Sequence, residues 1–252
     1  MSLTRRSALI GACVLALTAC TAGTADLSAT PKTVLVAGAT GRTGSAVVSQ
    51  LLADGYTVRA LVRDEAKARA ALGEQVVYVT GDVTDPASLT PAMQGADAVI
   101  SAIGAKGAKG PGRPEAIDYE GVRNLAAAAS AAGVKQFVLV SSRAVTQKDH
   151  PLNRMFGDVL IWKLKGEDAL RASGVPYTII RPGGLTNAEP GKSAFVLEQG
   201  DKVTGQTTIA RADVATICVQ ALKYPEARNR TFETNTVPGS PMTDWRARFA
   251  DL

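Results

Sequence analysis

The chain has 252 residues, with 28 Lys and Arg against 23 Asp and Glu and a formal charge of +5. That surplus is small and its basic residues are scattered, which leaves no electrostatic footprint for nucleic acid. One histidine, His150, and three cysteines, of which Cys13 and Cys20 lie close to the N-terminus, exclude a Cys/His zinc site and an internal disulfide framework.

The first residues read as a targeting segment. Arg5-Arg6 precede an uncharged apolar run from Ala8 to Leu17, too short to span a bilayer, which takes about 20 residues. A charged start, a short apolar centre and small residues after it describe a secretory signal peptide over residues 1–19. Thr4-Arg5-Arg6-Ser7-Ala8-Leu9 also resembles a twin-arginine export signal, with Ala8 where Phe is usual. Leu17-Thr18-Ala19-Cys20 resembles a bacterial lipobox. The expectation is an exported protein of a bacterial envelope, periplasmic or anchored to the membrane by lipid on Cys20. Residues 20–31 are small and polar and read as a tether. The remainder, 32–252, is enough for one α/β domain.

From Thr33 onward, apolar β-rich runs alternate with helical patterns. Strands are expected at Thr33–Ala37, Thr57–Val62, Val76–Thr80, Ala98–Ser101, Gln136–Ser141 and Tyr177–Arg181. Helices are expected near Thr43–Asp54, Glu65–Leu72, Pro86–Met93, Glu115–Ala132 and Asp158–Ala172. Regular β-α-β alternation predicts a doubly wound parallel sheet in the α/β class. The near-continuous apolar strands suit a sheet covered on both faces. The rest, Pro182–Leu252, is more irregular. It offers short strands near Thr207–Ala210 and Thr231–Thr234 and helices near Ala212–Leu222 and Thr243–Phe249. This small C-terminal region is expected on the substrate side of the sheet.

The first strand stops at Gly38-Ala39-Thr40-Gly41-Arg42-Thr43-Gly44. Three glycines at three-residue spacing between a strand and a helix let the backbone approach a diphosphate. The helix N-terminus then presents free N–H groups and a positive dipole end to it. Gly38, Thr40, Gly41, Arg42, Thr43 and Gly44 are therefore candidate dinucleotide-binding residues. The second strand ends in Leu61-Val62-Arg63. An acidic residue there would take the ribose 2′-hydroxyl of NAD, whereas an Arg accommodates the 2′-phosphate of NADP. Asp64 is expected to cap the next helix. Asp82 and Val83, after the third strand, face either an adenine or their own turn. Ala102, Ile103 and Gly104, after the fourth, are small enough to let a cofactor pass. Lys106–Arg113 reads as a basic loop.

These segments resemble the atypical short-chain dehydrogenase/reductase superfamily, in its NAD(P)-binding branch near the NmrA-like and sugar-epimerase-like proteins. The likeness covers roughly Thr33 to Leu252. It rests on the glycine turn, Val58–Arg63, Gly81-Asp82-Val83, Gly133–Ser142, Glu167–Gly174, Tyr177–Leu185 and Arg211-Ala212-Asp213-Val214-Ala215. The resemblance implies a Rossmann-like fold and an NADP cofactor. It also implies a Ser-Tyr-Lys set in which Tyr moves the proton, Lys holds the nicotinamide ribose and Ser orients a carbonyl. It places the Lys at Lys163 and the Ser at Ser141 or Ser142. The Tyr of the Y-x-x-x-K pattern would stand at residue 159, which is Val159. Valine cannot carry a proton. An NADPH-dependent oxidoreductase must then use water or another group, with Tyr119, His150 and Asp149 as candidates. Quinone-type acceptors would tolerate this loss best, with carbonyls as the other acceptor class. A redox sensor or scaffold that binds NADP without turnover is the competing expectation, and an epimerase is the weakest. Pro182 and the glycines after it are expected beside the nicotinamide. An ion pair between Lys163 and Glu167, at i, i+4 spacing, competes with the cofactor role of Lys163. Trp162 and Phe156 are expected either in the core or along the substrate crevice. Asp213 is read as a structural helix-start residue.

Overall fold

The computed structural model describes residues 30–192, 194–202 and 207–252. The leader and most of the tether, with the arginine pair and Cys20, lie outside them. Chain order gives β1 (Thr33–Ala37), α1 (Arg42–Ala53), β2 (Thr57–Val62), α2 (Glu65–Leu72), β3 (Val77–Thr80), α3 (Pro86–Met93) and β4 (Ala98–Ser101). A π-helical segment, Glu115–Gly121, then leads into α4 (Val122–Ala131), followed by β5 (Gln136–Val140), α5 (Pro151–Met155), α6 (Val159–Ala172) and β6 (Tyr177–Pro182). The C-terminal part holds β7 (Gly184–Thr186), β8 (Ala194–Glu198), β9 (Thr208–Ala210), α7 (Arg211–Lys223), β10 (Arg230–Val237) and α8 (Trp245–Ala250).

Eight strands form one sheet in the order β3-β2-β1-β4-β5-β6-β10-β8. Strands β1 to β6 and β10 run parallel, and only β8 pairs antiparallel, on β10. The expected doubly wound sheet is present. The C-terminal region extends it by two strands and adds the short β7–β9 pair. β8 and α5 carried no expectation from sequence. The segment Glu115–Gly121, expected as α-helix, is wound as π-helix, a form that recurs at functional sites.

Alternation on the central strands explains their unbroken apolar sequence. Val34 and Val36 of β1 pack with Val47 and Leu51 of α1 and Ile217 of α7. Leu35 and Ala37 pack on the other face with Leu89, Met93, Leu125 and Phe137. A strand covered on both faces favours apolar residues at successive positions. The order reverses between β1 and β4, so a crevice opens beyond their carboxyl ends, where such folds bind ligands.

Candidate cofactor and substrate cleft

The glycine turn sits at that switch point, and each glycine has a separate geometric reason. Gly38 has φ +79°, and a Cβ there would come 2.8 Å from the Ala102 carbonyl oxygen. Gly41 donates its N–H to the Gly38 carbonyl at 2.9 Å and leads into α1 with no side-chain cap. A Cβ on Gly44 would lie 2.1 Å from the Gly38 carbonyl oxygen, so helix and turn touch backbone to backbone. The first turn of α1 carries no acidic residue. Its N–H groups and dipole are thus left for an anion.

Two clefts meet there. The first, about 210 Å³, is lined by Gly38, Thr40, Gly41, Leu61, Val62, Arg63, Gly81, Asp82, Val83, Ala102, Ile103, Gly104, Lys106, Gly112 and Ile117. The second, about 580 Å³, shares Gly41, Ala102, Ile103, Gly104 and Lys106, and adds among others Arg42, Thr43, Ser141, Ser142, Arg143, His150, Lys163, Pro182 and Arg211. The candidate cofactor residues and Ser141, Ser142 and Lys163 each line one of the two, except Gly44, which lies beneath.

At the first cleft, Arg63 is exposed at the end of β2, and no ion pair engages it among the described residues. Asp64, next to it, accepts from the Lys67 N–H at 3.1 Å and pairs with Lys67 Nζ at 2.7 Å, which holds its carboxyl below the usual value. It caps α2, as expected, and is drawn off the ribose position. Asp82 accepts from the N–H and hydroxyl of Thr84 at 2.9 and 2.8 Å, so one carboxylate oxygen serves its own turn while the residue still lines the cleft.

At the second cleft, Lys163 does not pair with Glu167. Its Nζ donates to Asp118 Oδ1 at 2.7 Å. Asp118 is buried in the π-helical segment, and its other oxygen accepts from the Ala105 N–H at 3.1 Å. A Cβ on Gly166 would come 2.1 Å from the Asp118 carbonyl oxygen, so a glycine on α6 is what lets the two helices close far enough for this pair. Glu167 turns inward instead. It accepts from Ser141 Oγ at 2.6 Å, from Arg171 at 2.8 Å, and from Arg181 through two bonds of 3.0 and 2.7 Å. Ser141 is thereby tied to a buried charge cluster beneath the cleft. Ser142 donates only to the carbonyl of Arg143, at 3.1 Å.

Of the three candidate proton donors, only His150 lines the cleft. Its Nδ1 accepts from the Leu152 N–H at 3.3 Å, which leaves Nε2 to carry a proton. Tyr119 is stacked on Trp162 at 6.0 Å, and the Arg123 guanidinium lies over its ring at 5.4 Å from the centroid. Neither Trp162 nor Phe156 lines the cleft. Phe156 stands 47% exposed at the end of α5. Cys218 is fully buried, and burial pushes its thiol up to about 12, which removes it as a nucleophile.

Asp118, Arg143, Arg211 and Asn235 were missed by sequence reasoning. Arg143 follows the Ser141-Ser142 strand end directly, and that position was its available signal. Asp118 had no local signal, because its partner is 45 residues away.

Residues 38–225 match the NAD(P)H-binding family. The chain is 39% identical over 247 residues to an uncharacterized chloroplast protein of Arabidopsis thaliana, covering 88% of this chain and 76% of that one. It is 37% identical to sanguinarine reductase of Eschscholzia californica, covering 87% and 96%. Among solved structures it superposes on ChuY, an anaerobilin reductase from Escherichia coli O157:H7, with a TM-score of 0.70, 25% identity and 83% and 100% coverage. These relatives correct the export reading. Those with a compartment in their names are chloroplast proteins of plants, so the placement as an exported bacterial lipoprotein, lipid-anchored through Cys20, does not stand. An acid-free leader with an arginine pair is equally a feature of organelle-import signals, so its pattern did not fix a compartment. Fold, glycine turn and matched span together make this chain a member of the NAD(P)H-binding family, within the atypical short-chain dehydrogenase/reductase superfamily.

Proposed function

We propose that the chain is an NADPH-dependent oxidoreductase acting on a small-molecule electrophile, with residues 32–252 as one cofactor-binding unit. The observation that carries this reading is the uncapped glycine turn at the switch point, continuous with a cation-lined cleft that reaches Lys163. Two of the proteins it resembles are named reductases. In this reading Gly38, Thr40, Gly41, Thr43 and the first turn of α1 hold the diphosphate, and Gly44 keeps that helix against the turn. Arg63, helped by Arg42, takes the ribose phosphate. Asp82 and Val83 flank the adenine, and Ala102, Ile103 and Gly104 form the floor. Lys163 holds the nicotinamide ribose, steadied by Asp118, and Pro182 closes the far side.

When bound, the cofactor supplies a hydride. Val159 leaves the usual proton carrier missing, so His150 Nε2 or water delivers the proton after hydride reaches the acceptor. Ser142 is the serine free to meet a substrate carbonyl, while Ser141 supports the cleft from below through Glu167. The test is NADPH oxidation against a panel of quinones and small carbonyls. Tight NADPH binding with no turnover on any of them would return the chain to a purely binding role.

Replacing Arg63 with Asp is expected to weaken NADPH by about tenfold or more and to improve NADH, because a guanidinium–phosphate contact becomes a carboxylate–phosphate repulsion. Fluorescence titration with both cofactors reads this. An unchanged NADPH-to-NADH ratio would remove the selector role. Lys163→Met is expected to raise the NADPH Kd by about tenfold, since a charge-assisted bond to the ribose is lost. A variant with wild-type affinity and wild-type turnover would show that the lysine serves only Asp118.

A further inference from the structure

The larger cleft has an unbalanced lining. Arg42, Lys106, Arg143, Lys163 and Arg211 line it, and among the described residues its lining includes no Asp or Glu. The cofactor reading accounts for part of this charge. Arg42 goes with Arg63 to the ribose phosphate, and Lys163 is neutralised by Asp118. Arg143 and Arg211 remain. Both are half-buried, and both are held by neutral amides: Arg143 Nη1 donates to Asn235 Oδ1 at 3.3 Å, and Arg211 Nη1 to Asn187 Oδ1 at 2.7 Å. No ion pair engages either of them among the described residues.

The structure gives up local comfort to keep Arg143 where it is. Its N–H is fixed to the Pro182 carbonyl at 2.9 Å, and the next residue, Ala144, holds a φ of +66° that a residue with a Cβ rarely adopts. Asn235 is fully buried on β10, and its Nδ2 has no hydrogen-bond partner among the described residues. A Cβ on Gly183 would sit 2.3 Å from Asn235 Oδ1, so a glycine is needed there for the amide to occupy its position beside Arg143. Burial, then the charge of Arg42, pulls the Arg211 guanidinium below its usual value. An incoming anion would relieve that repulsion. A half-desolvated guanidinium without a counter-charge is costly unless a ligand supplies one.

We propose that Arg143, aided by Arg211 and positioned by Asn235, anchors an oxyanion carried by the substrate, so that the natural acceptor is an acidic molecule bearing a carboxylate or similar group. This rests on the cofactor reading above, because it assigns the diphosphate to the glycine turn and the first turn of α1 and not to Arg143. Arginine suits the role because its planar fork matches an oxyanion with two parallel bonds.

The test uses naphthalene-2-carboxylate against its neutral partner, naphthalene-2-methanol. Both are titrated calorimetrically into the wild-type protein and the Arg143→Gln variant, each free and loaded with NADP. NADPH affinity is measured in parallel. The wild type is expected to bind the carboxylate about tenfold or more tightly than the alcohol, and Arg143→Gln to bring that ratio to within about threefold of one, with the NADPH Kd within about twofold of wild type. Asn235→Ala is expected to lower the ratio as well, by releasing Arg143. Equal binding of both probes by the wild type, in free and loaded forms, overturns the proposal. So does an Arg143→Gln variant that loses NADPH affinity and keeps the ratio, since Arg143 would then serve the cofactor's phosphates. Failure of the wild type to bind NADPH would instead overturn the cofactor reading, and the free protein's preference for the carboxylate would still decide the anion site.

Discussion

Arg181→Met is expected to lower the stability of the fold by about 3–5 kcal/mol at neutral pH, the usual cost of breaking a buried ion cluster by removing one partner. Arg181 is 9% exposed and lies between Glu167 and Glu233, whose side chains are 0% and 1% exposed. It forks onto Glu167 through two bonds and reaches Glu233 at 3.0 Å and Asp201 at 3.3 Å. Burial alone would pull its pKa down, but bonds and charges from Glu167 and Glu233 more than reverse this, so it stays protonated. Without it Glu167 keeps Arg171 and Ser141, whereas Glu233 loses its cationic partner.

The sign of the pH dependence follows. Burial already raises the Glu233 carboxyl above its ordinary value, and Arg181 pulls against that rise. In the variant the pull is gone, so the folded value climbs further. A carboxyl whose folded value exceeds its unfolded one stabilises the protonated fold below the unfolded value. That contribution is lost as pH rises through the folded one. The deficit of Arg181→Met is therefore expected to shrink on acidification. Urea unfolding at about pH 7.5 and about pH 5 measures it, and a melting point lower on the order of 10 °C should accompany the neutral-pH loss. A deficit below about 1 kcal/mol would show that the cluster is no better than its apolar replacement. Arg181→Lys is not expected to rescue, because an ammonium cannot reproduce the forked contact with Glu167.

Gly44→Ala is the second large effect, and it acts on binding. The added methyl carbon has to occupy space 2.1 Å from the Gly38 carbonyl oxygen and 3.0 Å from the Ala39 Cα. Both neighbours are backbone, so neither can step aside as a flexible side chain would. The turn must open or α1 must back away, and either movement takes the free N–H groups from the diphosphate position. NADPH affinity is expected to fall by about a hundredfold or more, since several charge-assisted bonds share that geometry. Circular dichroism with NADPH fluorescence titration separates this from unfolding. A folded Gly44→Ala protein binding NADPH within about threefold of wild type would show that the close approach has no part in recognition.

The sequence determined what depends on local order. Apart from α5, strand and helix positions from Thr33 to Ala172 follow from periodicity, the sheet class from their alternation, and the ligand end of the sheet from a glycine turn that no other strand-to-helix junction repeats. Arg63 and Asp64 could be sorted because one precedes a helix cap and the other is the cap. Tertiary structure alone decided which charges meet. Lys163 had Glu167 one turn away as its obvious partner, yet the π-helical winding of Glu115–Gly121 and the missing side chain of Gly166 bring Asp118 to it from a separate helix. Glu167 is consequently free to gather Arg181, Arg171 and Ser141 under the cleft. Arg143 acquires its setting from Asn235 on β10 and from Gly183 just after β6, segments distant in sequence and adjacent only once β10 pairs with β6. Periodicity reports which face a residue takes on its own element. It carries nothing about which residue of another element will stand opposite, because that depends on how closely two backbones can pack.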